Sequence, residues 1–432
     1  MAKANVAKYF SNEDSANEIF CDSVFPNGFI IEKLLDGNEQ FREIMQSSKI
    51  KTMSGKDMCA TNGLTSQIYL ISIELLQEHG KSSDQPTFSA IMKSFSPERI
   101  EGMFQNMMNI STDAESDKGQ REHMETMKSN MCRVHNIECD FYSLFGNISK
   151  EIMPIPDIYY IQKTDMVKST PGVIIMEDLT ESGWMASVYE GLTVRQVKTI
   201  VYHLAAFHHF LLCETDANWS QVLVKSVFEK EEDFAHLLSD DMIEKVIEWN
   251  RDYFEIPLRK LKNVMNAKQM AYSYRGCAKE LGLPEVLMHG DLHTINLLWK
   301  KKADGSTPEK VAAFIDWQLV SKGNLAVDIA RTLVCCEPEV RKELESFILE
   351  YYYDEFSRRM RESGKPVGYG IEQLRKAYDY AFIFQAGMMG LAAKFFAEMK
   401  KEECKDNIEK LTKIAKIAAE DAVVVAERMS QD

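Results

Sequence analysis

The stretch VLMHGDLHTINLLW, residues 286–299, sets His289, Asp291, His293 and Asn296 within eight residues and then runs into apolar chain. A satisfied polar turn would explain this, and so would a catalytic loop. Chance produces H-G-D-x-x-x-x-N about once in a thousand chains of this length and ordinary composition, which weakens the polar-turn reading. Past LLWK, the turn-like KKADGSTPE leads into KVAAFIDWQ. That reads as a hairpin with Asp316 at the exit of its second strand.

The order Asp, Asn, strand-terminal Asp is the pattern kinases use for phosphoryl transfer. The chemistry needs little covalent help. It needs a hydroxyl aimed at the phosphorus and cations that neutralise charge spreading over the phosphoryl oxygens. Asp291 would orient the acceptor hydroxyl and accept its proton. Asn296 and Asp316 offer hard oxygen ligands of the kind Mg²⁺ prefers.

Working outward, the chain has 432 residues, which predicts two domains or lobes. Hydrophobic residues make up 45% and charged residues 27%, an ordinary globular balance. A net charge of -15 argues against general binding to nucleic acid or to an anionic membrane, while leaving room for a local nucleotide pocket. The start has no leader-type apolar run, and no stretch is expected to reach membrane-spanning length. Nine cysteines without a C-x-x-C pair read as reduced and mostly buried, in a cytoplasmic protein. The sequence carries no signal of oligomeric state.

The first half alternates strand-like and helical runs. Residues 66–75 (SQIYLISIEL) and 87–95 (TFSAIMKSF) read as strands, with Lys93 late in the second. Residues 97–129 have no clear pattern. In 132–145 (CRVHNIECDFYSLF), Val134, Ile137, Phe141 and Leu144 keep helical spacing, and Glu138 lies beside that face. MPIPDIYYIQ and PGVIIMEDL give two further strand-like runs. The second half is mainly helical, starting from Thr193 and Gln196 at capping-box spacing. The class is therefore α+β in two lobes.

Lys93 would reach the nucleotide's α- and β-phosphates, with Glu138 as its partner. A strand lysine is more often a solvated edge charge, and a lone glutamate there an exposed flank. ATNGLTSQ, with Gly63 alone, is a weak phosphate loop and equally a plain turn. IIMEDL, holding Glu177 and Leu179, would meet adenine through backbone groups. His208 and His209 read as structural.

The set IMK, HNIECDFY, GVIIMEDL, LAAFHH, HGDLHTINLLW, FIDWQ and LAVDIAR resembles the CHK kinase-like, or ecdysteroid kinase-like, group of the aminoglycoside phosphotransferase–choline kinase superfamily. The resemblance runs from about Asp22 to Val424. It implies a protein-kinase-like two-lobed fold. Residues 1–178 would form an N-terminal ATP-binding lobe with an antiparallel sheet, and 179–432 a mainly helical catalytic and substrate lobe. It implies ATP and Mg²⁺ as cofactors and a small-molecule alcohol as acceptor. Asp291 matches the catalytic aspartate, and Asn296 and Asp316 the metal ligands. Lys93 and Glu138 match the phosphate lysine and its partner. His289 would brace the loop, and Asp328 would support it from the next helix. His293 stands where related sequences often carry tryptophan.

Three alternatives stay open. A protein kinase would follow Asp316 with a long activation segment, whereas WQLVSKGNLAVDIARTLVCC soon turns helical. A pseudokinase acting as a binding module would tolerate the altered glycine loop. A choline- or aminoglycoside-type kinase would use the aromatic runs ESFILEYYYDEF and YDYAFIFQAGMMGLAAKFF against a quaternary ammonium. A steroid or other lipophilic alcohol suits an apolar wall equally well, and ordinary helix-packing core explains the same aromatics.

Overall fold

The computed structural model describes residues 6–58, 66–77, 86–95, 118–223, 240–399 and 405–431. The chain divides into two compact units: Met1–Asn147 with Pro156–Glu181, and Ile148–Ile155 with Ser182–Asp432.

The first unit opens with helices α1 (Asn27–Gly37) and α2 (Glu39–Ile44). Its sheet is built from β1 (Ser48–Asp57), β2 (Gln67–Gln77), β3 (Thr87–Phe95), β4 (Ile158–Gln162) and β5 (Gly172–Glu177). Helix α3 (Lys118–Phe145) lies between β3 and β4 in the chain. The strand order is β1-β2-β3-β5-β4, and every neighbouring pair is antiparallel. Period-two patterning sets the core face: Tyr69, Ile71, Ile73 and Leu75 are buried along β2 while Ser72 and Glu74 face out. Ala90 and Met92 of β3 and Val173 and Ile175 of β5 join them against Ile30, Leu34 and Phe41 of the first two helices. Both early strands follow the sequence reading; α3 contains the helical run expected over 132–145 but begins at Lys118, inside the stretch that has no clear pattern. Strand β1 was not expected, because SKIKTMSGKD is mostly exposed and lacks a clean alternation.

The second unit contains β6 (Gly183–Met185) and helix α4 (Val194–Cys213), then α5 (Asp240–Trp249) and α6 (Arg251–Leu261). Four short strands follow: β7 (Glu285–Met288), β8 (Leu297–Lys300), β9 (Val311–Phe314) and β10 (Ser321–Asn324). Helices α7 (Val327–Val334), α8 (Pro338–Glu345), α9 (Ile348–Glu362), α10 (Ile371–Met399) and α11 (Lys405–Met429) complete it. Thr193 and Gln196 form the expected capping box at the start of α4. The expected hairpin is β8–β9, with Leu297 opposite Phe314. β7 pairs with β10, Met288 opposite Ser321. Together these make an α+β architecture with an antiparallel sheet in the first unit and a mainly helical second unit.

One expectation is corrected. A helical stretch in α10, Ile371–Glu398, has a window of mean hydropathy 1.3 and is long and apolar enough to cross a membrane by length and composition. Buried residues make up 56% of that window. The helix packs chiefly against α7 and α11, which is how a helix apolar on several faces arises inside a helical bundle. The seven described cysteines are all free, and five of them are buried.

Candidate active site

Two connections in the second unit carry the candidate residues. The β7–β8 loop holds His289, Asp291, His293 and Asn296, and the β9–β10 loop holds Asp316. The strand register brings them together: Asn296 directly precedes the Leu297–Phe314 pair, and Ile315 directly follows it. Ile315 N–H donates to Asn296 O at 3.0 Å. His289 Nε2 lies 3.0 Å from Ile315 O, so it donates there. A longer bond of 3.4 Å runs from Asp291 N–H to Nδ1. His289 thus ties one loop to the other. Its ring rests on Trp317, centroids 4.5 Å apart.

Gly290 is required by this geometry. Its φ is +84°, and a Cβ there would come within 2.5 Å of Leu319 O. Asp316 also has a left-handed backbone, φ +65°. That conformation is costly for a residue with a Cβ, and such outliers gather at functional sites.

Asn296 Nδ2 donates to Asp291 O at 2.9 Å. A carbonyl only accepts, so the amide nitrogen must face it and Oδ1 points the other way. Gln318 Nε2 donates to Asp316 Oδ2 at 3.3 Å. Among the described residues no group of three His, Cys, Asp or Glu side chains forms an all-protein metal centre. Asn296 and Asp316 instead offer oxygen atoms alone, which fits Mg²⁺, an ion usually held by few protein oxygens plus phosphates and water.

Helix α7 supports the loop with two residues one turn apart. Asp328, fully buried, accepts from His289 N–H at 2.7 Å and Gly290 N–H at 3.0 Å. Burial pushes its carboxyl pKa up, against the pull of His289 and the two amides. Arg331 donates from Nη2 to Asp291 Oδ1 at 3.0 Å, and His293 Nε2 lies 3.3 Å from Asp291 Oδ2. Partial burial raises the Asp291 pKa, but His293 and Arg331 outweigh it and hold the carboxyl well below the usual range. Arg331 was missed in the sequence, although its i, i+3 spacing from Asp328 in VDIAR was the available signal.

In the first unit, Lys93 Nζ and Glu138 Oε2 are 2.6 Å apart, with side chains 8% and 1% exposed. β3 lies between β2 and β5, with Lys93 opposite Ile68 and Ile174, so Lys93 is no edge charge. Glu177 ends β5; its N–H donates to Asp157 O and its Oε2 accepts from Asp157 N–H at 3.1 Å. Leu179 follows two residues on, half-buried. Gly63 lies outside the described residues. His208 meets Tyr352 Oη at 2.7 Å and His209 meets Ser363 Oγ at 2.8 Å, both structural contacts.

Residues 34–430 match the profile of family DUF1679, described as "Uncharacterized oxidoreductase dhs-27". The chain belongs to the DUF1679 family. Two curated relatives come from Caenorhabditis elegans. "Uncharacterized oxidoreductase dhs-27" is 26% identical over 86% of this chain and 44% of its own length. "Uncharacterized kinase-like protein D1044.1" is 26% identical over 66% of this chain and 71% of its own. This DUF1679 chain therefore spans less than half of the dhs-27 protein. Among solved structures it is similar to a choline kinase from Cryptosporidium parvum Iowa II, at 14% identity and TM-score 0.49 over 94% of this chain and 96% of that one. It is also similar to a Plasmodium vivax ethanolamine kinase, at 14% identity and TM-score 0.43 over 94% and 91%.

Proposed function

We propose that the chain is an ATP- and Mg²⁺-dependent phosphotransferase that moves a γ-phosphate to the hydroxyl of a small alcohol. Residues 1–178 act as the nucleotide lobe and 179–432 as the catalytic and substrate lobe. The observation that carries this reading is the lacing of the two loops: His289 and Asn296 both bond to Ile315, next to a left-handed Asp316. Holding Asp291, Asn296 and Asp316 rigidly is what phosphoryl transfer asks of a protein. A curated relative named kinase-like supports the same reading.

Asn296 and Asp316 would hold Mg²⁺, which when bound neutralises phosphate charge. Lys93, oriented by Glu138, supplies positive charge to the nucleotide's phosphates. Glu177 and Leu179 meet adenine through backbone groups at the end of β5. Asp291 is an ionised carboxylate of low basicity at neutral pH. It therefore orients the acceptor hydroxyl and takes its proton late, as the bond to phosphorus forms. Arg331 and His293 position that carboxylate. The acceptor we favour is a steroid-like or other lipophilic alcohol, and the reduced cysteines support a cytoplasmic location.

A nucleotide-binding module without catalysis is the second reading. It is favoured by Arg331 and His293 engaging both oxygens of Asp291. Thermal-shift titration with Mg²⁺ and ATP tests the site. A ligand at 100 times its Kd adds about 2.7 kcal/mol of stability. A Mg²⁺-dependent rise in Tm, weakened in Asp316→Asn, is expected. No rise in either protein sinks the nucleotide site. A rise without turnover of ATP on any alcohol selects the binding module.

A further inference from the structure

The helical unit contains a second feature built for a small molecule. A cavity of about 510 Å³ opens where the α8–α9 turn, the first half of α10 and the end of α11 converge. That volume is in the range of small-ligand pockets, roughly 300–1,000 Å³. Its floor is aromatic: Tyr378 and Phe382 stack with centroids 5.8 Å apart at 22°, and both are buried. Its walls carry the carboxylates Glu345, Asp379 and Asp421, with side chains 30%, 18% and 32% exposed.

Positive charge there is short. Arg341 is fully buried, pairs with Asp421 and sits 3.8 Å from Glu345 through Nε. Its guanidinium lies 5.5 Å from the Phe382 ring centroid. These three neighbours all line the cavity, which puts Arg341 directly behind its wall. Arg428 reaches Asp379 at 2.7 Å but is 60% exposed, so water screens it. On the rim, exposed Arg375 pairs with both Glu350 and Glu372, and Lys376 is exposed beside them. Glu345, Asp379 and Asp421 against Arg341 and Arg428 leave one negative charge inside. Glu345 and Asp421 share it around Arg341, and Glu345 also accepts from Tyr378 Oη at 2.9 Å. Burial raises the pKa of that carboxyl, and Arg341 and the Tyr378 hydroxyl offset this only in part.

An acid wanting countercharge above a stacked aromatic floor selects one ligand chemistry. The carboxylate takes the charged head in a charge-assisted hydrogen bond, and the ring faces favour a cation and its apolar arm. We propose that this cavity binds a monovalent organic ammonium ion with an aromatic or alkyl arm, its head at Glu345 and its arm on Tyr378 and Phe382. Neither Asp291, Asn296, Asp316, His293 nor Arg331 lines it. The proposal is thus separate from the phosphotransfer reading and does not rest on it.

Calorimetric titration of the full chain without nucleotide tests it, using phenethylammonium chloride against neutral 2-phenylethanol. The amine is expected to saturate in the millimolar range or below, and the alcohol to bind at least about tenfold more weakly, since it lacks the charge. Glu345→Gln keeps the acceptor for Tyr378 and is expected to weaken the amine by about tenfold. Val425→Phe, which fills the cavity from a half-exposed position on α11, is expected to abolish binding. Melting temperatures confirm that both variants are folded. Equal binding of amine and alcohol overturns the proposal, as does no saturation with amine. Binding that survives Val425→Phe but is lost in Asp291→Asn also overturns it, by moving the amine to the catalytic loop.

Discussion

Arg331 donates to Asp291 across 3.0 Å from a helix turn whose other inward residue, Asp328, clamps the two amides just before Asp291. One helical turn thus fixes both the backbone and the carboxylate of the loop. The arrangement keeps Asp291 charged, and it makes the loop's order depend on α7 rather than on local sequence.

Removing the guanidinium should therefore loosen the loop. Arg331→Met is expected to lower stability by about 1–3 kcal/mol, because a partly buried carboxylate loses a charged donor. Any ATP turnover should fall through kcat more than through the KM for nucleotide, since Arg331 touches only the acceptor-side acid. Unchanged stability and unchanged kcat would remove Arg331 from the site.

Asp291→Asn separates chemistry from binding. Loss of a catalytic acid or base typically costs about 10²- to 10⁴-fold in rate. Turnover is expected to fall by that factor while the Mg²⁺-ATP thermal shift stays within error of wild type. A variant with full turnover would disprove the role given to Asp291.

The ion pair in the first unit makes a prediction that needs no substrate. Lys93→Met takes the ammonium from beside a carboxylate that is 1% exposed, and breaking a buried pair costs about 3–5 kcal/mol. Lys93→Met combined with Glu138→Leu is expected to recover most of that loss, because apolar replacements no longer need countercharge. Urea midpoints of the single and double variants decide. A double variant no more stable than the single would mean the pair is not the source of the loss.

Asp316 should show a stability–function conflict. Its φ of +65° is one glycine adopts freely. Asp316→Gly trades relief of that strain against a more flexible unfolded chain, so stability is expected within about 1 kcal/mol of wild type. The Mg²⁺-dependent part of the ATP thermal shift should vanish all the same. A retained Mg²⁺ effect would exclude Asp316 as a ligand.

Buried histidines set the acid side of stability. Burial lowers the pKa of His135 to about 4 and of His208 to about 3. Both are depressed below an unfolded value of about 6.5, so their stabilising effect is complete above that pH and declines as pH falls towards the folded values. Each should cost about 1.4 kcal/mol per pH unit within that window. Urea midpoints at pH 7, 6 and 5 should fall accordingly, and His208→Gln should flatten the slope. A midpoint independent of pH would contradict neutral burial.

Local pattern alone determined much of this protein. Period-two runs gave strands β2 and β3, capping spacing marked the start of α4, and the HGDLHTIN–FIDWQ order gathered the candidate acids. Those signals are legible because each rests on residues close in the chain, where backbone geometry is set by neighbours. The buried pairing of Lys93 with Glu138 was an expectation that burial had to decide, since a strand lysine and a helix glutamate are 45 residues apart and would more often face water. Arg331 on Asp291, the left-handed backbone of Asp316 and the acid-walled cavity on Tyr378 and Phe382 were decided by tertiary structure alone. Each depends on which faces of distant elements meet, and burial and charge balance exist only once they do.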